Sequence, residues 1–140
     1  MSRIVGIDYG TKRIGTAIGD TESTWVFPRE VIHVGGADDP VERILALVTA
    51  ERAEKIVVGL PIREDGTEGG SAQAVRDFVQ VLGSRADVPV ELQDERMTSR
   101  QAEATLRAGR GVPDRKSGRV DALAAVLLLE TYLERLRHGK

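Results

Sequence analysis

The apolar positions at the start of this chain are spaced for strands. Three consecutive strands are predicted, at Arg3 to Asp8, Ile14 to Asp20 and Trp25 to Val34. The first is an almost unbroken apolar run, which is typical of a strand buried on both faces, and Gly6 within it permits the close approach of a neighbour. Pro28 suits the third strand to a sheet edge or a bulge.

After residue 40 the pattern alternates between helical and strand spacing. Val41, Ile44, Leu45 and Val48 recur at helical intervals, which predicts an amphipathic helix that begins near Pro40. The remaining elements are predicted in the order strand, helix, strand, helix, helix: Lys55 to Leu60, Ser71 to Leu82, Val88 to Leu92, Thr98 to Ala108 and Val120 to Leu136.

This order predicts an α/β fold with a mixed five-stranded sheet flanked by helices. The first three strands form an antiparallel meander, and the later two follow right-handed crossovers, so they lie parallel to each other and beside the first strand. Ligands of open α/β sheets collect outside the carboxyl ends of parallel strands. At those ends the sequence has Asp8, Gly59 and the pair Asp94-Glu95.

Composition narrows the possible chemistry. The 140 residues predict a single domain over 1–140, and a formal charge of -2 gives no overall basic surface. The absence of cysteine leaves oxygen ligands or the isolated His33 and His138 for a metal, and oxygen ligands favour Mg²⁺ or Mn²⁺. Neither a membrane span nor a signal segment is evident, so we expect no membrane partner and a cytoplasmic protein.

Acidic residues converge on the predicted carboxyl edge of the sheet. Asp8 ends the first strand, Asp94-Glu95 follows the fifth, and Asp121 begins the apolar last helix. Each has an ordinary structural explanation, since Asp caps turns and acidic residues complement helix N-termini. Together, however, carboxylates at one edge repel one another unless a cation neutralises them. The cluster therefore predicts a divalent-metal site.

A carboxylate-bound metal site with one or two ions is suited to phosphodiester hydrolysis. Bound ions activate water and stabilise the leaving oxygen, so neither a histidine base nor a serine nucleophile is required. This agrees with a chain in which His33 ends an edge strand and His138 lies in the C-terminal tail, where a surface role is expected for both.

Four blocks of the sequence resemble the signature blocks of the YqgF/RuvX family, in the same order. They are "GIDYGTKRIGTAIGD", "GLPIREDGTEGGSAQAVRDF", "DERMTSRQAE" and "RKSGRVDALAAVLLLETYL", and together they extend from Ile4 to about Leu133. The resemblance implies a ribonuclease H-like fold related to Holliday-junction resolvases. It also implies a nuclease that matures the 5′ end of 16S ribosomal RNA precursors.

The resemblance assigns three acidic positions as catalytic and metal-binding: Asp8, Glu95 and Asp121. The resemblance selects Glu95 over Asp94, a choice that the sequence pattern alone leaves open. Whether Asp94 assists Glu95 is also open. One departure from the resolvases is visible, because those enzymes carry a catalytic Glu where this chain has Gly59-Leu60-Pro61. Pre-rRNA is the expected substrate, with branched DNA as the alternative.

Basic residues predict where nucleic acid binds. The candidate phosphate contacts are Lys12, Arg13, Arg96, Arg100, Arg110, Arg115, Lys116 and Arg119. The alternative is a solvated helix face with pairs such as Glu103-Arg107. The segment Asp65, Gly66, Thr67, Glu68, Gly69 predicts either a lid near the site or an ordinary Asp-Gly turn.

Two other classes of function are open at this stage. "GIDYGT" also resembles the phosphate loop of sugar kinases and actin-like ATPases, but those proteins place the nucleotide between two such domains. A non-catalytic nucleic-acid-binding module in transcription or ribosome assembly is the other. The chain is expected to act as a monomer or a homodimer.

Overall fold

The computed structural model describes residues 2–23, 25–63, 65–94 and 119–137. Within them the strands are β1 (Arg3–Tyr9), β2 (Arg13–Asp20), β3 (Val26–His33), β4 (Ala53–Leu60) and β5 (Val90–Asp94). The helices are α1 (Pro40–Glu51), α2 (Gly70–Arg85) and α3 (Arg119–Arg137). The predicted helix Thr98 to Ala108 lies outside the described residues.

The five strands form one mixed sheet in the order β3-β2-β1-β4-β5. β1, β2 and β3 pair antiparallel, whereas β4 pairs parallel with β1 on one side and with β5 on the other. The predicted α/β architecture and strand order are therefore confirmed. The carboxyl ends of β1, β4 and β5 meet at one edge of the sheet.

Two apolar clusters lie on opposite faces of the sheet. One contains Val5 and Ile7 of β1 and packs beneath α1 and α2. The other contains Ile4 of β1 and Val57 of β4 and packs beneath α3. Residues of β1 alternate between the two clusters, as expected for a strand buried on both faces.

Pro28 lies on an edge strand, as predicted. It pairs with Ala17 next to a register shift between Gly15 and Ala17, and the buried hydroxyl of Thr16 donates to the Glu30 carbonyl at 2.6 Å there. A proline, which lacks a backbone N–H, is tolerated at such an edge irregularity.

Local residues set the ends of the other elements. Asp39 caps α1 by accepting from the Val41 amide at 3.0 Å, and Pro40 occupies the first helical turn. β5 begins at Val90, two residues later than predicted, because Pro89 has no N–H to donate to the ladder, although its carbonyl accepts from Ile56. None of the helices in the described ranges is long and apolar enough to cross a membrane.

Candidate active site at the carboxyl edge of the sheet

The last residues of three parallel strands lie side by side at this edge. Ile7 of β1 pairs with Val58 of β4, and the next residue of β4, Gly59, pairs with Gln93 of β5. Asp8 therefore lies in the row of Gly59 and Gln93. Because neighbouring strands are about 4.8 Å apart, the backbones of Asp8 and β5 are about 10 Å apart at this edge.

Asp8 lies on the face of the sheet that α3 covers. Side chains of β1 alternate, and Ile4 belongs to the cluster beneath α3 whereas Val5 and Ile7 belong to the other cluster. Asp8 shares the parity of Ile4 and is half-buried. Its carboxylate is thus held at the junction of core and solvent, a position that suits a metal ligand or a catalytic group.

Two glycines let α3 rest on the strand backbones and reveal its direction. A Cβ on Gly19 would lie 2.9 Å from Leu133, and a Cβ on Gly6 would lie 3.1 Å from the Leu129 Cβ and 3.4 Å from the Ala125 carbonyl. Gly19 pairs with Ile4, so it marks the start of β1, and Gly6 lies further along. The helix therefore runs antiparallel to β1, and its N-terminus points toward the carboxyl edge.

This direction brings the first turn of α3 to the level of Asp8. Asp121 precedes Ala125 by one helical turn, about 6 Å along the axis. Asp8 follows Gly6 by two residues, about 7 Å along the strand. The backbones of Asp8 and Asp121 thus reach the same edge of the same face, and the Asp121 side chain lies outside the described residues.

Of the two acidic residues at positions 94 and 95, the structure describes only Asp94, the last residue of β5. Val90 and Leu92 pack against the α1 and α2 cluster, so Asp94 shares their face and lies opposite the face of Asp8. Gln93 is on the α3 face, where its Oε1 accepts from Arg135 of α3 at 2.7 Å. Glu95 lies outside the described residues, and so its role stays a prediction.

The turn between β1 and β2 brings two predicted cations to the same edge. A Cβ on Gly10 would lie 2.5 Å from the Arg13 carbonyl, so the turn requires glycine at this position. The Lys12 side chain is exposed, and its carbonyl accepts from Val34 at 2.9 Å. Of the other predicted nucleic-acid contacts, Arg119 begins α3, and the rest lie outside the described residues: Arg96, Arg100, Arg110, Arg115 and Lys116.

The predicted loop after β4 also starts from this edge. Asp65 Oδ1 accepts from the Thr67 amide at 2.9 Å and from its hydroxyl at 2.7 Å, and these bonds lower the pKa of Asp65. Gly66 has φ +88°, which favours glycine. Glu68 binds Arg76 of α2 through two bonds of 2.6 and 2.8 Å, which lower the pKa of Glu68. The loop is an internally bonded Asp-Gly turn, and its function as a lid stays a prediction.

Comparison of the sequence with models of protein families identifies the family of this chain. Residues 2–135 match the model of the family described as RuvX, Holliday junction resolvase. The chain belongs to the RuvX family.

Relatives of this RuvX chain extend along its whole length. A protein of Nitratidesulfovibrio vulgaris is 41% identical over 94% of this chain and 92% of its own length. A protein of Maridesulfovibrio salexigens is 37% identical over 95% and 98%. Both carry names that describe them as candidate pre-16S rRNA nucleases.

Solved structures similar to this RuvX chain include two resolvases. RuvC of Thermus thermophilus, in complex with a Holliday junction substrate, aligns with a TM-score of 0.58 at 20% identity, covering 99% of this chain and 97% of that chain. The fowlpox virus resolvase, in complex with junction DNA, gives 0.55 at 14% identity, covering 96% and 98%. The ribonuclease H-like fold class is thereby confirmed.

The structure of this RuvX protein also brings together polar residues that sequence reasoning missed. Lys55 of β4 and Tyr132 of α3 are hydrogen-bonded at 2.8 Å, close to the Arg135-Gln93 pair. The signal in the sequence was Lys55 at the start of the predicted strand Lys55 to Leu60, whose other residues are apolar. Among the described residues, no three His, Asp or Glu side chains are grouped closely enough to hold a metal ion.

Proposed function

We propose that this chain is a divalent-metal-dependent nuclease that hydrolyses phosphodiester bonds. Its proposed role is the 5′-end maturation of pre-16S ribosomal RNA, with Asp8, Glu95 and Asp121 as the catalytic carboxylates. The observation that carries the proposal is the direction of α3, whose first turn reaches the level of Asp8 on the same face of the sheet. Asp8 and Asp121 therefore reach the same edge of the sheet, although they are 113 positions apart in the sequence (121 minus 8).

The alternation of β5 supports Glu95 rather than Asp94 as the third carboxylate. Asp94 shares the face of Leu92, away from Asp8. Gln93 shares the face of Asp8, and Glu95 is the next odd-numbered residue in the sequence. The parity that Glu95 shares with Gln93 in the sequence therefore favours it over Asp94 in this proposal.

The donor set fits Mg²⁺ or Mn²⁺. Asp8, Glu95 and Asp121 would hold one or two such ions through carboxylate oxygens, and the chain has no cysteine to favour a softer metal. When bound, such ions supply an activated water and stabilise the leaving oxygen. Asp8 itself is half-buried at the end of β1, on the face that α3 covers.

The chain's own cations would bind the substrate strand. Lys12 is exposed at the turn beyond Asp8, and Arg119 begins the helix that carries Asp121. We propose that these two residues contact backbone phosphates, together with the other predicted cations: Arg13, Arg96, Arg100, Arg110, Arg115 and Lys116. The Asp65 to Gly69 loop, which leaves the same edge, is proposed to cover the bound strand.

Pre-16S rRNA is proposed as substrate because the relatives at 37–41% identity are named for it. Branched DNA is the second candidate, since the family description names a Holliday junction resolvase. The RuvC and fowlpox complexes support only the shared fold at their low identity. We also propose a single nuclease domain over residues 1–140, acting in the cytoplasm as a monomer or homodimer.

The test compares acid-to-amide variants on two substrates, 5′-extended 16S precursor RNA and a four-way DNA junction. We expect the wild type to cleave 5′-extended 16S precursor RNA with Mg²⁺ or Mn²⁺, and Asp8→Asn, Glu95→Gln and Asp121→Asn each to lose cleavage while still binding RNA. Asp77→Asn, an exposed carboxylate on α2, serves as the matched control and should cleave normally.

Each outcome of that test separates the candidate functions. Cleavage that all three variants retain would overturn the assigned carboxylates. Preferential cleavage of a four-way DNA junction would favour the resolvase function. RNA binding by a wild type that cleaves neither substrate would instead identify a non-catalytic binding module.

A further inference from the structure

A polar cavity lies on the α3 face of the sheet, beside the proposed active site. It has a volume of about 280 Å³ between β4, β5 and the end of α3. The residues that line it are Lys55, Glu91, Leu92, Gln93, Tyr132, Arg135 and Leu136. None of the roles proposed above uses these residues.

Lys55 and Tyr132 form the first hydrogen-bonded pair in the cavity. Lys55 Nζ donates to Tyr132 Oη at 2.8 Å, and this bond raises the pKa of Lys55. Burial raises the pKa of Tyr132, with a further contribution from the Glu91 carboxylate. At neutral pH the ammonium is therefore charged and the phenol keeps its proton.

Arg135 and Gln93 form the second pair. Arg135 Nη1 donates to Gln93 Oε1 at 2.7 Å, and Gln93 is only 4% exposed. Gln93 thus holds the Arg135 guanidinium at the wall of the cavity. A guanidinium has five N–H donors and no acceptor, so one bond to Gln93 leaves most of its donors for another group.

The cavity is therefore rich in donors and has one strong acceptor. That acceptor is the Glu91 carboxylate, whose Oε2 lies 3.9 Å from Lys55 Nζ. Two cations and one carboxylate leave a net charge of +1. Phosphate oxygens accept hydrogen bonds and carry negative charge, which matches such a cavity.

The cavity lies on the same face of the sheet as Asp8. Gln93 of β5 pairs with Gly59 of β4, and Gly59 is the neighbour of Asp8 in the same row. Lys55 precedes Gly59 by four residues, which is about 13 Å along β4. The α3 face of β4 and β5 thus connects the proposed active site with the cavity.

We propose that the cavity bounded by Lys55, Tyr132 and Arg135 binds a backbone phosphate of the nucleic-acid strand, away from the bond that is cleaved. The inference rests on the proposed nuclease function. It gives the enzyme a second anchor for the strand on the opposite side of the site from the Lys12 turn.

The test is the salt dependence of RNA binding. Fluorescence anisotropy with a short single-stranded RNA is measured in the Asp8→Asn background, which prevents cleavage, from low to moderate KCl. Arg135→Gln and Lys55→Gln should each weaken binding about tenfold at low salt. Each should also reduce the slope of log affinity against log salt by about 0.7, the value for one lost phosphate contact on a single strand.

Three further variants separate phosphate binding from a structural role. Arg137→Gln is the matched control, because Arg137 is on the same helix but donates to the Ser23 carbonyl at 2.7 Å. It should leave the slope unchanged. Arg135→Lys should keep the slope because it keeps the charge. Glu91→Gln should tighten binding about twofold to fivefold, since a repelling carboxylate is removed, and a loss of structure cannot produce that gain.

The outcomes distinguish this inference from the proposed function. If Arg135→Gln and Lys55→Gln leave the salt slope unchanged while the wild type cleaves RNA, the cavity does not bind a backbone phosphate. The proposed nuclease function would be unaffected by that result. A wild type that binds neither RNA nor a DNA junction would overturn both. Protection from thermal unfolding by inorganic phosphate, without any slope change, would identify a site for free anions and overturn the strand contact.

Discussion

A Cβ atom on Gly6 would lie 3.1 Å from the Cβ of Leu129, so α3 rests directly on the backbone of β1. The same contact sets the level at which Asp121 reaches the edge of the sheet. We expect Gly6→Ala to push the helix outward, to lower the free energy of unfolding by about 1–3 kcal/mol and to reduce cleavage severalfold. Urea unfolding and single-turnover cleavage measure the two effects.

Gly83 provides the control for that substitution. It lies within α2 and nothing stands within 4 Å of an added Cβ. Gly83→Ala should therefore stabilise the protein by up to about 1 kcal/mol, because alanine is the better helix former, and leave cleavage unchanged. Equal stability and activity of Gly6→Ala and the wild type would contradict the close contact.

Removal of divalent metal should abolish cleavage. We expect a chelator to stop the reaction and either Mg²⁺ or Mn²⁺ to restore it, since the proposed ligands are all carboxylates. Mg²⁺ should also raise the unfolding temperature of the wild type, because a ligand that binds only the folded state stabilises it. Asp8→Asn should lose that response, and full activity in excess chelator would refute the metal site.

The cap of α1 makes stability depend on pH. Asp39 accepts from Arg85 at 2.8 Å and from Val41 at 3.0 Å, and these bonds, led by the one to Arg85, hold its pKa below the ordinary 3.8. Because the pKa of Asp39 is lower in the folded protein, its ionised carboxylate stabilises the fold at every pH above the unfolded pKa of 3.8. This stabilisation is lost as the pH falls through the folded pKa.

Asp39→Asn tests this dependence because asparagine still caps the helix but cannot form the ion pair. The variant should be less stable than the wild type at neutral pH, and the difference should shrink below the unfolded pKa of 3.8. Arg85→Gln removes the same pair from the other side and should behave alike in urea unfolding. A stability difference between variant and wild type that does not change with pH would show that the Asp39-Arg85 ion pair is not the source of the pH dependence.

The loop after β4 offers a test of the lid. Gly66 has φ +88°, so Gly66→Ala strains the turn by about 1–2 kcal/mol locally. If the loop covers the substrate, KM for RNA should rise while the unfolding temperature changes little. Gly35→Ala is the matched control, because Gly35 has φ +85° in the turn after β3. An equal effect of both substitutions on KM would argue against a lid.

The sequence by itself determined the order and type of the described elements. The almost unbroken apolar run before Asp8 predicted a strand buried on both faces, and Pro28 predicted an edge or a bulge, because each is a local property of spacing or backbone chemistry. The carboxyl edge of the sheet followed from the order of elements. The four sequence blocks indicated the family, and the resemblance implied Glu95 and Asp121 as site residues; their roles stay a proposal, since the structure does not describe their side chains.

Only the tertiary structure decided which face each polar residue occupies. Asp94 lies on the face opposite Asp8, because it alternates in step with Val90 and Leu92, which pack against the cluster beneath α1 and α2. The cavity joins Lys55 to Tyr132 across 77 positions and Gln93 to Arg135 across 42. Periodicity describes neighbours within an element, whereas these contacts depend on how α3 crosses the sheet, which is set by glycines and packing on strands distant in the sequence.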